Sequence, residues 1–466
     1  MVGATPIPVT DPDLLEGYLT DASNVHGHAD GLFRPSSAEE LADVVREAQA
    51  RAIPLTVTAG RTSTTAGPVP FGGWLVSTER LSRTLHVGFD TATAQGGAFL
   101  GAFQDEIEAT GRFYPPDPTS RRECTLGASI ACNASGARSF KYGPTRPWVE
   151  ALEVVLPTGD LRRFRRGDPV PADWPVPTWA EPAVKTAAGY APPRDAVDVF
   201  IGQEGTLGVI TEATVRLIAL PTQVLGILAF FPDRAAAVRF VEVARAAARA
   251  DRDGPLSPRC LEYYDGACLD LARARGVEVP AAARAGLFCE QEGDGEGLGA
   301  WFDALVAAGG LADDTIVTDD PAGQARLHAL RHAIPAGINE QVVHNGMSKV
   351  GTDLAVPDAA LNTMMDLYEG APFERVLFGH IGDNHLHLNL LPHSADELAR
   401  AKAWYADAAR VAVSLGGTVS AEHGVGKLKK AQLAGMVSAD TLAAFRRLKR
   451  HLDPAWILGR GTLFDP

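Results

Sequence analysis

The segment Phe378–Leu391 alternates between polar and apolar side chains from Asn384 onward, which restricts the structures it can form. Two imidazoles and an amide fall on one side of it and leucines on the other: His385, His387 and Asn389 against Leu386, Leu388 and Leu390. Alternation of this kind is typical of a half-buried β-strand. The preceding Arg375–Gly379 predicts a partner strand, and Gly382–Asn384 predicts the turn between them. The resulting hairpin brings His380 and His387 together on its polar side.

A second polar cluster, Ser420–Lys427, places Glu422 and His423 directly before a glycine-containing stretch. Glycine lets the backbone bend and approach a ligand closely. Two neutral imidazoles and one carboxylate form a common catalytic set for a divalent metal ion, with a position left for water or substrate. The candidate ligands are His380, His387 and Glu422, and His423 is a candidate general base. The alternative is that these histidines are ordinary surface or core residues with satisfied hydrogen bonds.

The amino-acid composition indicates which broad class of protein this is. The 466 residues carry a formal net charge of -14 and are 46% hydrophobic and 21% charged, as in a soluble globular protein. The acidity disfavours nucleic acid as a partner, because nucleic-acid binding relies on clustered Lys and Arg. The five cysteines include no Cys-x-x-Cys pair, so a reducing compartment is expected and no iron–sulfur or zinc-ribbon ligand set is evident.

The sequence also bears on location. We see no signal peptide in residues 1–10 and no apolar run of the ~20 residues needed to span a bilayer. The expected location is the cytoplasm, with peripheral membrane contact left open.

The first part of the chain has two segments rich in small residues. The loop Ala59–Gly67 follows the predicted strand Leu55–Thr58 and is rich in main-chain donors and hydroxyls, so it can wrap a pyrophosphate. An ordinary Gly/Thr connector fits the same pattern. The segment Thr125–Ala137 leaves room for a flat ligand or another backbone. The fingerprint Gly-x-Gly-x-x-Gly does not occur between a strand and a helix, and the acidic Gly293–Gly299 is predicted to be a surface loop.

Later segments predict a different unit. Val199–Leu217 predicts two short strands around a glycine turn, and strands then alternate with helices over residues 222–415. This alternation favours an α+β or ferredoxin-like layer. One of its predicted helices, Gly323–Ile334, ends before Pro335. The chain after residue 415 is predicted to be mostly helical.

Ordered blocks over most of the chain carry a resemblance to a known family: Pro54–Gly67, Phe113–Thr119, Thr125–Ala137, Lys141–Arg146, Leu152–Gly159, Phe200–Leu217, Phe378–Leu391 and Ser420–Lys427. From Arg34 to Phe464 the chain resembles the FAD-dependent 2-hydroxyacid dehydrogenases of the vanillyl-alcohol oxidase / para-cresol methylhydroxylase (PCMH) superfamily. The branch concerned contains flavin D-lactate dehydrogenase, D-2-hydroxyglutarate dehydrogenase and the flavin subunit of glycolate dehydrogenase.

The resemblance implies an α+β protein in three parts. Residues 1–220 would form a PCMH-type FAD-binding domain of two α/β subdomains. Residues 221–415 would form a ferredoxin-like cap domain that faces the substrate. Residues 416–466 would form a C-terminal helical segment that returns to the flavin.

The resemblance further implies non-covalent FAD. The pyrophosphate would lie against Ala59, Gly60, Arg61, Thr62, Ser63, Thr64 and Thr65. Adenine, ribose and isoalloxazine would be lined by Pro116, Asp117, Gly127, Ala128, Asn133, Gly136, Tyr142, Gly143, Glu204, Gly205 and Ile210.

The same resemblance implies catalytic roles. His380, His387 and Glu422 would hold zinc or manganese, and His423 would be the base. Arg331 would pair with the substrate carboxylate, with Lys349 as a second cation and Asn389 in the same catalytic group. The implied reaction is dehydrogenation of a D-2-hydroxy acid to the 2-oxo acid, with hydride transfer to flavin N5.

The sequence also leads to expectations about the substrate, the electron acceptor and the alternative functions. Pro335 stands where a hydroxyl residue would help bind a second carboxylate, so a lactate- or glycolate-like substrate is expected. A quinone or an electron-transfer protein is the expected electron acceptor, and a homodimer is left open. Three alternatives remain: a flavin-free metallohydrolase, a flavin-binding subunit that needs its partners, and an alkyl-dihydroxyacetone-phosphate-synthase-like flavoenzyme. Glu422 disfavours the last, because a histidine-rich run is expected there.

Overall fold

The computed structural model describes residues 7–293 and 295–466. Met1–Pro6 and Asp294 lie outside that part of the chain, so the expectations for the extreme N-terminus and for Gly293–Gly299 fall partly on residues that are not described. None of the helices in the described ranges combines the length and the apolar character needed to cross a lipid bilayer.

The N-terminal unit is built on two small sheets. Its helices and strands are α1 (Pro12–Glu16), β1 (Gly31–Phe33), α2 (Ala38–Ala50), β2 (Leu55–Thr58), β3 (Trp74–Ser77), β4 (Thr84–Val87), β5 (Thr91–Gln95), α3 (Leu100–Glu108), β6 (Arg112–Phe113), α4 (Leu126–Ala131), α5 (Ser139–Tyr142), β7 (Val149–Val155), β8 (Leu161–Arg165), β9 (Val209–Arg216) and β10 (Ile218–Ala219). One sheet has the order β1-β3-β2 with parallel pairing, and the other has the antiparallel order β4-β5-β9-β7-β8. They correspond to the two expected subdomains.

The cap unit is one large antiparallel sheet with helices packed on it. Its elements are β11 (Val224–Phe231), α6 (Arg234–Ala250), β12 (Pro258–Tyr264), α7 (Gly266–Ala274), β13 (Ala285–Glu292), α8 (Leu298–Ala308), β14 (Ile316–Thr318), α9 (Pro321–Asn345), β15 (Val350–Gly351), β16 (Leu354–Ala355), α10 (Leu361–Glu369), β17 (Arg375–His380), β18 (His385–Leu390) and α11 (Ala395–Ser414). The strand order is β14-β11-β13-β12-β17-β18-β15, with β16 also paired to β18. Its first four strands have the ferredoxin-like order, as expected.

Two local predictions were wrong. The helix expected to end at Ile334 continues through Pro335 to Asn345. Leu327, Leu330, Ile334 and Ile338 recur at helical spacing and are buried in one apolar cluster, and this packing offsets the hydrogen bond that proline removes. The first of the two strands expected in Val199–Leu217 is instead a 3-10 turn, Asp198–Phe200. The Asp198 carboxylate there is held by Arg166 and Arg194.

The chain returns to the N-terminal unit at its C-terminus through α12 (Lys430–Met436), α13 (Ala439–Leu452) and the residues that follow. The Leu55 N–H donates to the carbonyl of Ile457 (2.8 Å), and the Gly459 N–H donates to the carbonyl of Leu55 (3.0 Å). The C-terminal residues thus add to the edge of the parallel sheet beside β2.

The hairpin β17–β18 sets the position of the histidines. His380 pairs with His385 and Phe378 pairs with His387, so these side chains share one face of the sheet. Contrary to the half-buried strand expected, both faces of β18 are covered: His385 and Asn389 are as buried as the leucines between them. The polar face is covered because the C-terminal segment lies against it.

A buried ion pair in α13 helps to fasten the C-terminus. The Lys449 ammonium donates to the carboxylate of Asp453 and to the carbonyl oxygens of Thr206 (2.6 Å) and Leu458 (2.9 Å). We expect Lys449→Met to lower the free energy of unfolding by about 3 kcal/mol, because it leaves the Asp453 carboxylate buried without a counter-charge.

The matched control is Lys430→Met, which removes the exposed ion pair with Asp465 and should cost less than about 1 kcal/mol. Urea unfolding of both variants, followed by circular dichroism, measures the difference. Equal losses would contradict the importance of the buried pair.

Candidate active site and metal centre

Three histidine rings cluster on the polar face of the hairpin. The ring centroids of His385 and His387 are 4.4 Å apart, those of His380 and His385 are 5.3 Å apart, and those of His380 and His387 are 5.5 Å apart. The predicted approach of His380 and His387 is therefore present. His385 is an additional member that the sequence placed on the correct face but that we did not assign as a ligand.

Glu422 completes this cluster from the C-terminal segment. Its Oε1 lies 3.4 Å from His380 Nε2 and 3.3 Å from His387 Nε2. Its Oε2 lies 3.9 Å from His385 Nδ1. Ligand atoms of His380, His385, His387 and Glu422 all lie within 4.8 Å of one another.

The arrangement fits a divalent metal ion. An ion with four bonds of about 2.1 Å holds its ligands about 3.4 Å apart, close to the separations seen here. The Nδ1 atoms of two histidines are occupied: that of His380 lies 2.6 Å from the Glu262 carboxylate, and that of His387 donates to the Thr352 carbonyl (3.1 Å). Such contacts orient metal-binding imidazoles and leave the Nε2 atoms free to bind. Within the described ranges, the buried His385 Nδ1 has no hydrogen-bond partner.

Asp353, between β15 and β16, organises the segment that carries Glu422 and His423. Its carboxylate accepts hydrogen bonds from the main-chain N–H groups of Ala421 (3.2 Å), Glu422 (3.1 Å) and His423 (3.1 Å). It also accepts from the Lys429 ammonium (2.6 Å) and lies 2.9 Å from His385 Nε2. One buried carboxylate therefore fixes the C-terminal segment against the histidine strand.

Burial and neighbouring charges set the protonation states. Burial alone would raise the pKa of Glu422, but Lys185 and His380 outweigh it and hold that pKa well below its usual range. For His385, burial and the neighbouring His387 lower the pKa well below its usual value. Burial also lowers the pKa of His423 to about 4. His385 and His423 are therefore neutral near pH 7. In that form a ring nitrogen can donate its lone pair to a metal ion or accept a proton.

A cavity of about 360 Å³ opens beside this cluster, between the small-residue segments of the N-terminal unit. It is lined by most of the residues that the resemblance assigns to the cofactor: Ala59, Gly60, Arg61, Thr62, Ser63, Thr64, Gly127, Ala128, Glu204, Gly205 and Ile210. Glu422 and His423 line the same cavity. No acceptor within the described residues takes the main-chain N–H groups of Gly60–Thr64, which suits a pyrophosphate.

Other residues assigned to the cofactor lie outside the lining: Thr65, Pro116, Asp117, Asn133, Gly136, Tyr142 and Gly143. Several of them shape the surroundings instead. The Thr65 hydroxyl donates to the His423 carbonyl (3.3 Å), the Asn133 side chain accepts from the Arg146 N–H (3.0 Å), and the Tyr142 hydroxyl bonds to Glu292. Their contact with a cofactor stays a prediction.

The partly buried carboxylate of Glu204 joins this cavity to the C-terminal segment. It accepts from the N–H groups of Val425 (2.8 Å) and Gly426 (2.7 Å), and burial raises its pKa to about 7. Gly426 has φ 53°, and a Cβ there would lie 2.1 Å from the Thr65 carbonyl oxygen. Glycine is therefore required where the segment crosses the loop Ala59–Gly67.

Two candidate cations flank the histidine cluster. The guanidinium of Arg331 lies 4.7 Å from the centroid of Phe288, which pairs with Glu262 and so faces the same side of the sheet as His380. Among the described residues, none forms an ion pair or hydrogen bond with Arg331. The Lys349 ammonium donates to the Asn389 side-chain oxygen (2.7 Å), and burial lowers its pKa. The structure thus brings the cap residues Arg331, Lys349 and Asn389 to the face that carries the cluster.

Some of the site residues that we did not predict have a recognisable signal in the sequence, and others have none. His385 had a clear signal in its alternation with His387. Pro118, Thr119, Ser120, Cys124, Cys132 and Ser135 line the cavity and lie within or next to recognised blocks. Asp353, Glu262 and Lys185 had no signal, because each reaches the site from a distant part of the chain.

Comparisons with known proteins identify the family of the chain. Residues 220–463 match the family of FAD linked oxidases through its C-terminal domain, and residues 29–165 match an FAD binding domain. A D-2-hydroxyglutarate dehydrogenase of Xanthomonas citri pv. viticola is 32% identical over 441 residues, covering 92% of this chain and 88% of that protein. The glycolate oxidase subunit GlcD of Bacillus subtilis is 29% identical, covering 93% and 89%.

Further similarities extend to other relatives and to solved structures. A D-lactate dehydrogenase of Anaerostipes hadrus is 28% identical, covering 97% of this chain and 93% of that protein. A solved alkyldihydroxyacetonephosphate synthase superposes with a TM-score of 0.65 at 20% identity, covering 93% of this chain and 76% of that chain, and this likeness concerns the fold alone. By its sequence matches over nearly its whole length, the chain belongs to the FAD-linked oxidase family and is an FAD-dependent oxidoreductase.

Proposed function

We propose that the protein dehydrogenates a D-2-hydroxy acid to the corresponding 2-oxo acid. The observation that carries this proposal is the cluster of His380, His387 and Glu422 at the edge of the cavity that we assign to FAD. Glu422 and His423 line that cavity together with the pyrophosphate-loop residues. The relatives named for D-2-hydroxyglutarate, glycolate and D-lactate support the same class of substrate.

The chain supplies binding and orientation. Arg331 binds the substrate carboxylate, because a guanidinium suits a carboxylate well and no described residue forms a direct ion pair or hydrogen bond with it, although Glu262 and Glu290 act on it from beyond ion-pair distance. Lys349 supplies a second positive charge, held in place by Asn389. His380, His387 and Glu422 would hold a zinc or manganese ion, which would polarise the substrate hydroxyl.

The substrate gives up its hydroxyl proton and its α-hydrogen to different acceptors. His423 takes the hydroxyl proton at Nε2, since its imidazole is neutral and its Nδ1 faces Asp353 at 3.7 Å. The α-hydrogen leaves with its electron pair, so the substrate loses two electrons in total. A bound divalent ion would lower the pKa of the substrate hydroxyl, and FAD would supply the acceptor for the hydride.

Reoxidation needs a separate acceptor, for which we propose a quinone or an electron-transfer protein. A lactate- or glycolate-like substrate is favoured because Pro335 lies one turn beyond Arg331 in α9 and has no hydrogen-bond donor for a second carboxylate.

The first test is a dye-reduction screen of D- and L-2-hydroxy acids. We expect D-lactate or glycolate to be oxidised faster than D-2-hydroxyglutarate and the L-enantiomers to be poor substrates. Prolonged treatment with a strong chelator should abolish activity while the flavin absorbance stays, and zinc or manganese should restore it. Full activity in metal-free protein would remove the metal from the mechanism.

The second test is His423→Ala. Loss of a general base typically lowers kcat by about 10²- to 10⁴-fold. FAD content should be unchanged, because Thr65 bonds to the main-chain carbonyl of His423, which the variant keeps. Near-normal turnover with normal flavin content would show that another group takes the proton.

The third test is Arg331→Met. We expect kcat/KM to fall about 100-fold, since a charge-assisted hydrogen bond to the carboxylate is lost. Arg326→Met is the control, because Arg326 is an exposed residue of the same helix. Steady-state kinetics of the two variants decide the point, and equal, small effects would exclude Arg331 from substrate binding.

A further inference from the structure

Lys185 is a buried lysine that reaches the metal-ligand candidates from the proline-rich segment 166–197. Its side chain is 5% exposed, and its Nζ lies 2.9 Å from Glu422 Oε2 and 3.8 Å from Asp383 Oδ2. The backbone around it is anchored to the same C-terminal segment: the Ala187 N–H donates to the Ser420 carbonyl at 2.9 Å. The ammonium is therefore held in place beside Glu422.

The two oxygens of Glu422 have different surroundings. Oε1 is the oxygen that faces the Nε2 atoms of His380 and His387, at 3.4 and 3.3 Å. Oε2 is held by Lys185 and by the hydroxyl of Ser135, which donates to it at 3.4 Å, and it lies farther, at 3.9 Å, from His385 Nδ1. One oxygen is thus directed toward the position of the ion, and a charged hydrogen bond occupies the other.

We propose that Lys185 is a positioning residue that keeps Glu422 a one-oxygen metal ligand and so leaves a coordination position for the substrate hydroxyl. The inference rests on the proposed function only in that a divalent ion binds at His380, His387 and Glu422. A carboxylate with both oxygens free can chelate the ion and fill the position that substrate requires.

Lys185 also opposes metal binding through its charge. An ammonium beside a ligand carboxylate repels a divalent cation, and in a buried site that repulsion is weakly screened. The same contact that keeps the coordination sphere open therefore lowers the affinity for the ion. A merely structural lysine would have the opposite effect, because its loss would disorder the ligands and weaken metal binding.

The test compares Lys185→Met with Lys185→Arg in the FAD-loaded enzyme. We expect Lys185→Met to bind zinc at least about tenfold more tightly in competition with a chromophoric chelator. It should also show a lower kcat and a higher KM for the best substrate of the dye screen. Lys185→Arg keeps the charge and should return the zinc affinity toward that of the wild type.

Cobalt substitution gives a readout independent of turnover. The visible absorption of the Co²⁺ protein should weaken in Lys185→Met relative to the wild type, as the carboxylate adds a ligand and the coordination number rises. An unchanged spectrum together with unchanged zinc affinity would overturn the proposal.

Lys449→Met is the matched control, because Lys449 is a buried, ion-paired lysine whose partner is Asp453 and not a metal-ligand candidate. It should lose stability and keep the zinc affinity of the wild type. If Lys185→Met does not accumulate as folded protein, Lys185→Gln replaces it, with the same expected tightening.

The outcomes separate the two proposals. Wild-type protein that binds no divalent ion overturns the metal centre of the proposed function, and this inference with it. Wild type that binds zinc, with binding equal or weaker in the uncharged variant, overturns the role of Lys185 alone.

Discussion

The buried carboxylate of Asp353 is the interaction on which the site depends. An ionised carboxylate is costly to bury unless its oxygens are fully hydrogen-bonded and its charge is balanced. Here three consecutive main-chain N–H groups, a lysine and a histidine surround it. Burial would raise the pKa of Asp353, but His423, Lys429 and His385 outweigh it and hold that pKa well below its usual range. The carboxylate stays charged and fixes the direction in which Glu422 and His423 point.

The same segment also contacts the N-terminal unit, so residues 420–427 lie between the histidine cluster and the cavity. Asp353 holds the segment against the cap sheet, and Glu204 and Thr65 hold it against the cavity of the N-terminal unit. Neither unit alone positions the metal-ligand candidates beside the cavity. The C-terminal residues also pair with β2 and so attach the end of the chain to the N-terminal unit. The placement of His380, His387 and Glu422 relative to the cavity is thus a property of how three parts of the chain pack together.

Carboxylates and ammonium groups lie side by side around the cluster. Glu262, Asp353 and Glu422 provide the carboxylates, Lys185 and Lys429 provide the positive charge, and the imidazole of His380 contacts Glu262. Asp353 and Glu422 keep their charge because cationic and hydrogen-bonding groups lie within contact distance and hold their pKa values low. The guanidinium of Arg331 differs, because no described residue forms a direct ion pair with it. Burial would lower its pKa, but Tyr264, Glu262 and Glu290 act from beyond ion-pair distance and raise it.

The sequence by itself determined the parts whose signal is local. Period-two alternation predicted the hairpin of β17 and β18 and put His385 and His387 on one face, and the ordered blocks indicated the family and its α+β fold. The end of the helix expected at Ile334 was predicted wrongly, because packing of Leu330, Ile334 and Ile338 outweighed the helix-breaking effect of Pro335.

Only the tertiary structure decided which distant groups complete the site. Asp353, Glu262 and Lys185 lie far from Glu422 or His380 in sequence, and their roles arise from burial beside them. No sequence periodicity predicts such a contact. A single charged residue in a loop or a strand gives the same sequence pattern whether its side chain is exposed to solvent or paired with a buried group. The residue types of the metal-ligand candidates are visible in local sequence patterns. Their orientation and charge balance depend on how the N-terminal unit, the cap unit and the C-terminal segment pack together.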